Sequence, residues 1–370
     1  MMKKCLRFVI ACAFALPAMV AAQTSGLTVH GYLTQAYAGS QEAPLYGIPL
    51  KGTADYRAMA LQFRYATSPT DALVFQFSHR RLGSSAIQEL EPDVGFDWGF
   101  FQKNVAGTSL RVGRVPMPRG FYNEVRDVGT IFPFYRASKA FYSEGVETVD
   151  GISASKSFEV GGFGIDASAY VGEFDVVVEL TTTNGLEVID NRVKKTVGAH
   201  ATVNTPITGL RVNADYLTGK SESNGKWPLW TVGADYSRDR FFVRGEYEVV
   251  HTKDAEGNDG TKYLAWYSQA GVGITSKLWL NWQYEFNEIT AFGVLPSPPL
   301  PSPDVKYDNI KDNAIGLSYK ISPSLVIKGE YHTFKGYQLD VPTPLVNPAN
   351  GQSMPSRSAK YLILSLAAAF

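Results

Sequence analysis

The chain has 370 residues, with 35 basic and 35 acidic side chains and an aromatic content of 13%. This balanced charge shows no basic excess of the kind that nucleic-acid binding requires, so we expect no nucleic-acid partner. After the N-terminal region, no stretch approaches the ~20 apolar residues of a membrane helix. The remaining chain is therefore either soluble or crosses a membrane as strands.

Residues 1–22 have the character of a signal peptide. Basic residues in the first seven positions precede the apolar run FVIACAFALPAMV, and the small residues VAA stand at 20–22. We expect cleavage after Ala22, which leaves residues 23–370 as one domain. The stretch VIAC offers a lipoprotein site at Cys12 as an alternative. The apolar run before that cysteine is short and continues beyond it, which favours cleavage after Ala22.

Both cysteines, Cys5 and Cys12, lie in this segment, so the mature chain has none. This excludes a disulfide scaffold and a thiolate metal site, and we expect no cofactor. Three of the 35 basic residues are removed with the segment, so the mature chain carries 32 basic and 35 acidic residues, a net charge of −3.

Apolar and polar residues alternate along the whole mature chain, which indicates β-strands. In 59–65, Met59, Leu61 and Phe63 share one face, and Gln62 and Arg64 share the other. The pattern predicts sixteen strands near 27–38, 55–67, 72–82, 93–104, 108–115, 145–158, 161–174, 192–204, 208–219, 229–238, 240–251, 262–274, 277–289, 312–322, 324–335 and 358–370.

Short turns and long connections alternate between these strands. The polar face carries charges in mid-strand, as a watery lumen permits, while the other face is apolar. Because unpaired strand edges are costly in lipid, such a sheet must close on itself. The sequence therefore predicts an all-β, antiparallel, up-and-down transmembrane barrel of sixteen strands. The final stretch YLILSLAAAF ends in Phe370 and resembles the C-terminal targeting strand of outer-membrane barrels.

The connection 116–144 is the longest and is dense in charge. It begins inside the pattern G-R-x-x-x-P-x-G-x-Y-N-E-x-R-D, which covers residues 113–127. The architecture and this pattern resemble the Gram-negative outer-membrane porins, some of which are anion- or phosphate-selective. The resemblance implies that this third outer loop folds inward and narrows the channel. It also implies passive diffusion of small hydrophilic solutes or ions, an outer-membrane location in contact with lipid, and a homotrimer.

The arginines of strands and loop are the candidate pore residues. We expect Arg64, Arg80 and Arg111 to face the lumen and to form a basic rim with loop residues Arg119, Arg126, Arg136 and Lys139. Rings of Arg or Lys favour anions. Arg114, Glu124 and Asp127 complete the set of residues that we expect to line the pore or its constriction. Glu124 and Asp127 are expected to pair with Arg126 or with a wall arginine.

Two questions about these residues stay open at this point. Each loop charge either sets selectivity or braces the loop, and acidic residues on the polar faces, such as Glu246 and Glu285, argue against an entirely basic channel. Arg114 breaks the parity of its strand because Val112 should face lipid. Either a bulge turns Arg114 inward or it lies above the hydrocarbon.

Other functions fit the sequence less well. A hydrophobic-compound transporter usually carries an N-terminal plug, and here the first strand begins soon after Gln23. An outer-membrane hydrolase needs a nucleophile and a base, and adjacent residues such as Ser78 and His79 point to opposite faces of a strand. The proline run at 295–304 and the acidic segment 252–261 are interpreted as outer loops, since 252–261 lacks the calcium-binding spacing.

Overall fold

The computed structural model describes residues 26–86, 93–142, 144–182, 185–222, 225–292, 304–343 and 355–370. The expected signal peptide and nearly all of the proline run lie outside these residues. Within them, no helix is long and apolar enough to cross a membrane.

The sixteen predicted strands are confirmed, and they form a closed barrel in which each strand pairs with its neighbours along the chain. Closure joins the first and last strands antiparallel, with Tyr32 opposite Ala369. Gly31 and Phe370 exchange backbone hydrogen bonds of 3.0 and 2.9 Å at this seam. The strands are β1 Leu27–Gln41, β2 Thr53–Ala66, β3 Asp71–Leu82, β4 Gly95–Val105, β5 Thr108–Pro116, β6 Thr148–Val160, β7 Phe163–Thr182, β8 Gly185–Asn204, β9 Leu210–Lys220, β10 Leu229–Arg238, β11 Phe241–Lys253, β12 Asp259–Gly273, β13 Leu278–Ala291, β14 Val305–Ser322, β15 Leu325–Gly336 and β16 Arg357–Ala369.

Burial is inverted relative to a water-soluble protein, as expected for a barrel with lipid outside. On β13, Leu280 and Trp282 are exposed, whereas Asn281, Gln283 and Glu285 are buried. The same inversion recurs around the barrel, with outward-facing residues such as Leu61, Phe75, Val243, Ile327 and Leu364. The alternation in the sequence is thus a consequence of two different environments on the two faces of one sheet.

Three strand boundaries differ most from the sequence prediction, namely the end of β7 and the starts of β8 and β14. The residues expected to form a loop at 175–191 instead extend β7 and β8, which pair from Gly164 and Asn204 to Thr182 and Gly185. Likewise, β14 begins at Val305 and pairs with β13 from its first residue. The 175–191 stretch is rich in Val, Ile and Thr, which favour strand conformation beyond the length needed to cross a bilayer.

Candidate pore constriction

The segment 117–147 leaves the wall between β5 and β6 at a pair of prolines. Pro116 is the last residue of β5, and Pro118 lacks the backbone N–H that would continue a ladder. Gly120 then adopts a φ of +58°, a left-handed conformation that glycine accepts without strain. A short 3-10 helix, Asn123–Val125, follows. The local sequence thus turns the chain sharply away from the wall.

The first part of this segment is fastened to β9, β10 and β11, and the backbone N–H of Gly120 donates to Asp215 of β9 at 3.0 Å. Arg119 forms a buried ion pair of 2.5 Å with Glu248. The backbone N–H of Phe121 donates to Glu246 at 2.8 Å, and the hydroxyl of Tyr122 donates to Asp235 at 2.9 Å. These partners stand on strands four to six positions around the barrel from β5, so the segment reaches them through the interior.

The later part of the segment is fastened to β13 and β15. The backbone N–H of Tyr135 donates to Glu330 at 3.0 Å, and that of Ala140 donates to Glu285 at 3.1 Å. Lys328, almost fully buried, donates to the carbonyl of Phe134 at 2.5 Å and also to that of Gly129. Buried wall charges are therefore satisfied by loop backbone groups, which compensates the cost of burying them.

Aromatic rings fill the space between the anchors. Tyr122, Phe132, Phe141 and Tyr142 form a buried cluster with the wall residue Tyr267. Phe141 and Tyr267 pack edge to face, with ring centroids 5.7 Å apart. Such pairs add stability beyond the apolar area that they bury. The segment is consequently a packed element inside the barrel.

Two large cavities flank the segment. One, of about 390 Å³, lies toward the short turns, between the 3-10 helix and the walls of β1 to β4. The other, of about 490 Å³, lies toward the long loops, and Glu144 is among the residues that line it. We call them the inner and the outer cavity.

A third cavity, of about 20 Å³, lies between these two. It shares Arg80, Arg126 and Asp127 with the inner cavity and Glu144 with the outer one. Arg136 also lines it. We call this narrow space the passage.

A network of charges surrounds the passage. Arg80, on β3, forms an ion pair of 2.8 Å with Glu144 of the loop. Arg126 lies 3.7 Å from Glu144 and 3.4 Å from Glu147, and Lys139 lies 3.5 Å from Glu144. Glu144 is therefore the shared partner of three cations.

The carboxyl groups of this network have opposite pKa shifts. Burial raises the pKa of Glu144, but the charges of Arg80, Lys139 and Arg126 outweigh burial and hold that pKa well below its usual range. For Glu147, burial dominates and raises its pKa to about 7, with Glu144 adding to the increase. Glu144 thus carries a fixed negative charge, whereas the charge of Glu147 depends on pH near neutrality.

Three more of the predicted pore residues are inside the barrel, and of these only Arg136 lines the passage. Arg136 places its guanidinium over the ring of Tyr46, with 5.1 Å between the guanidinium carbon and the ring centroid. Arg111 faces the lumen and lies 3.5 Å from Glu124, which is the expected pairing of a loop acid with a wall arginine. Arg64 shares the lumen face of β2 but stands near its short-turn end, away from the passage.

Arg119, at the start of the segment, and Lys139, in its later part, both line the outer cavity. Lys139 pairs there with Glu179 at 3.1 Å in addition to Glu144.

Arg114 corrects the sequence prediction, since it does not line the pore. The pairing of β5 with β4 and β6 runs without a bulge from Thr108 to Pro116, so Arg114 stays on the outward face with Val112. Its Nε donates to Thr148 at 3.2 Å, and Asp150 is its cross-strand partner. Arg114 therefore belongs to a polar band on the outer surface at the long-loop end.

Sequence reasoning missed the acids that organise this site. Glu144 and Glu147 were not singled out, although they contact the arginines that were. The polar faces were expected to carry acids such as Glu246 and Glu285, but these two, together with Glu248 and Glu330, serve as anchors for the loop. In the sequence, the one sign of this role was that these acids stand in the middle of strands whose apolar and polar residues otherwise alternate regularly.

Neither a protein-family model nor a curated protein matches the chain. Solved structures do. OmpF of Salmonella typhi, in complex with daunomycin, matches 93% of this chain and 97% of its own at 12% identity, with a TM-score of 0.59. The outer membrane channel DcaP of Acinetobacter baumannii matches 94% and 99% at 12% identity and 0.57.

An anion-selective porin from Comamonas acidovorans matches 93% of this chain and 99% of its own at 13% identity and 0.55. At these identities the likeness concerns the fold, and it extends over nearly the full length of each chain. Together with the closed ring of sixteen strands and its apolar outer face, it shows that this chain has the fold of the sixteen-stranded outer-membrane porins.

Proposed function

We propose that the chain forms a water-filled channel in the outer membrane, through which small hydrophilic solutes diffuse down their gradients. The observation that carries this proposal is the narrow, charged passage between two large cavities inside a closed barrel. Charged side chains line the passage and attract water and small polar solutes. The anchored loop limits the size of the solutes that can pass. Catalysis forms no part of the proposal.

We further propose a preference for anions. The passage is lined by three cations, Arg80, Arg126 and Arg136, and by two acids, Asp127 and Glu144. Because Lys139 also lies against Glu144, the local balance is positive. Fixed positive charge in a low-dielectric constriction lowers the free energy of an anion and raises that of a cation.

The charge of this passage also disfavours the main alternative. A transporter for hydrophobic compounds needs an apolar route, whereas the passage would require such a solute to cross between ion pairs. The plug of a hydrophobic-compound transporter is an N-terminal segment. The segment inside this barrel is instead the connection between β5 and β6.

Conductance in planar bilayers tests the proposed function. Purified protein should produce discrete current steps, and a salt gradient should give a reversal potential on the anion side. Folded protein that shifts in gel mobility on heating but leaves the bilayer silent would contradict the channel. A reversal potential on the cation side would contradict the anion preference alone.

We also propose a homotrimer, by analogy with porins of this barrel size. The outward face of β16 carries the small residue Ala368, which pairs with Leu33 at the seam with β1. Mass measurement of the native complex in detergent should give three copies. A single barrel under conditions that retain conductance would contradict the trimer and leave the channel proposal intact.

A further inference from the structure

The outer cavity has one apolar wall. Val176, Trp227, Leu229, Val250 and Ile289 line it, from β7 to β13. Trp227 packs edge to face against Phe174, with ring centroids 5.4 Å apart and an interplanar angle of 74°. This packing fixes the ring, so the cavity presents a rigid apolar surface of the kind that typifies small-molecule sites. A hydrated ion gains no favourable contact from such an apolar wall, whereas a solute with an apolar part does.

The rest of the cavity is lined by charges and amides, and its acids already have partners. Glu248 is held by Arg119 at 2.5 Å, and Glu179 by Lys139 at 3.1 Å. Glu144 is held by several cations, and Asp254 accepts two hydrogen bonds from Asn258, of 2.7 and 2.8 Å. The acids therefore have little remaining capacity to hold a cationic ligand.

Two basic side chains that line this cavity, Arg119 and Lys226, have N–H donors without a partner among the described residues. Arg119 is 2% exposed, and its Nη1 has no hydrogen-bond partner among the described residues, although its other two nitrogens are engaged. Lys226, next to Trp227, is exposed and forms no ion pair within the described part of the chain. A buried donor without a partner is costly, so an incoming acceptor would be favoured there.

We infer that the outer cavity is a binding site for a small amphipathic carboxylate, a ring or branched aliphatic body that bears one carboxylate. The body lies against the apolar wall, and the carboxylate lies toward Lys226 and Arg119. The site collects such solutes on the long-loop side before they reach the passage. This inference rests on the proposed channel function, because Glu144 lines both the outer cavity and the passage.

Calorimetric titration of the folded protein in detergent tests the site directly. Phenylacetate serves as the probe, with acetate and 2-phenylethanol as matched ligands that lack either the ring or the charge. Empty micelles correct for partitioning. We expect phenylacetate to bind at least about tenfold more tightly than either analogue, since it alone engages both walls. Equal affinities for all three, or no binding above the micelle blank, would overturn the inference.

Variants locate the site. Lys226→Gln and Trp227→Leu should each weaken phenylacetate binding by about tenfold, through loss of the charge-assisted contact and of the aromatic wall. Lys277→Gln, at a short turn, and Trp98→Leu, in the inner cavity, should leave it unchanged. Equal loss in all four variants would contradict the placement.

Current block separates this inference from the channel proposal. Phenylacetate added on the long-loop side should reduce ion current at lower concentration than from the short-turn side. Normal conductance without binding or block would overturn the site while the channel stands. Binding to a protein that conducts nothing would sustain the site and refute the channel.

Discussion

Arg80 of the barrel wall and Glu144 of the inward segment form an ion pair of 2.8 Å, and both side chains line the passage. This contact joins a rigid strand to the loop that divides the lumen. Both side chains are largely buried, at 18% and 5% exposure. The pair therefore positions the loop, and it also fixes the charge that a permeating ion meets.

Neutralising each partner of this pair should shift ion selectivity in opposite directions. Glu144→Gln removes the shared acid of three cations and should increase the anion preference. Arg80→Gln should decrease it. Reversal potential in a salt gradient measures both changes. Arg114→Gln is the matched control, because that arginine faces outward; if it shifted the potential as much as Arg80→Gln, the assignment of Arg80 to the pore would be refuted.

Acidification through neutral pH should raise the anion preference. Burial raises the pKa of Glu147 to about 7, so this side chain takes up a proton as the pH falls through that value and its negative charge disappears beside Arg126. Reversal potentials recorded from pH 8 to pH 6 should show this step, and Glu147→Gln should abolish it. Glu159→Gln, at a short turn, serves as the control. An unchanged pH profile in Glu147→Gln would assign the step to another group.

The proton on the Glu147 carboxyl also affects the free energy of unfolding. The folded state holds it between the ordinary pKa of a glutamate, 4.5, and about 7, whereas the unfolded chain has released it there. Lowering the pH within this window therefore favours the folded state, and the benefit is lost as the pH rises through 7. Denaturant unfolding at several pH values should show this slope in the wild type and a smaller slope in Glu147→Gln.

Removing one partner of the Arg119–Glu248 pair should destabilise the barrel strongly. The two side chains are 1% and 2% exposed, so Arg119→Met leaves a buried carboxylate without its cation. Such losses cost about 3–5 kcal/mol. The double variant Arg119→Met, Glu248→Leu should recover much of this free energy. Urea unfolding measures each variant, and equal stability of the single and double variants would contradict a direct coupling.

Lys328 should hold the loop in place. Its ammonium donates to the carbonyls of Gly129 and Phe134, so Lys328→Met frees the middle of the segment. We expect higher single-channel conductance and more current noise than in the wild type. Lys320→Met, at the short-turn end of β14, is the control and should behave as the wild type. A quiet channel of unchanged conductance would show that other anchors suffice.

The barrel could be predicted from the sequence because its two faces meet different solvents at every strand. Leu280 and Asn281 differ in character for this reason alone, and no long-range contact is needed to infer it. The limits of β7 and β8 could not be predicted in this way. Their alternation continues past the bilayer, and only pairing such as that of Val177 with Asp190 shows that they remain strands.

The sequence indicated the kinds of charged residue that form the site, but not which of them contact each other. Glu246 accepts from Phe121, which is 125 positions away, and nothing in the neighbourhood of either residue indicates this contact. The same holds for Arg80 and Glu144. For Arg114, the expected pore position conflicted with its spacing from Val112, and only the uninterrupted register of β5 shows that it faces outward.

Charge-reversing modification at the passage tests the central claim most directly, namely that ions cross beside the inward loop. Asp127 lines both the passage and the inner cavity. With Asp127→Cys in a chain of residues 23–370, which otherwise lacks cysteine, a cationic thiol reagent should move the reversal potential further to the anion side. An anionic reagent should move it back, and Ser68→Cys at a short turn should respond to neither. Complete modification of Asp127→Cys that leaves conductance and reversal potential unchanged would contradict the account.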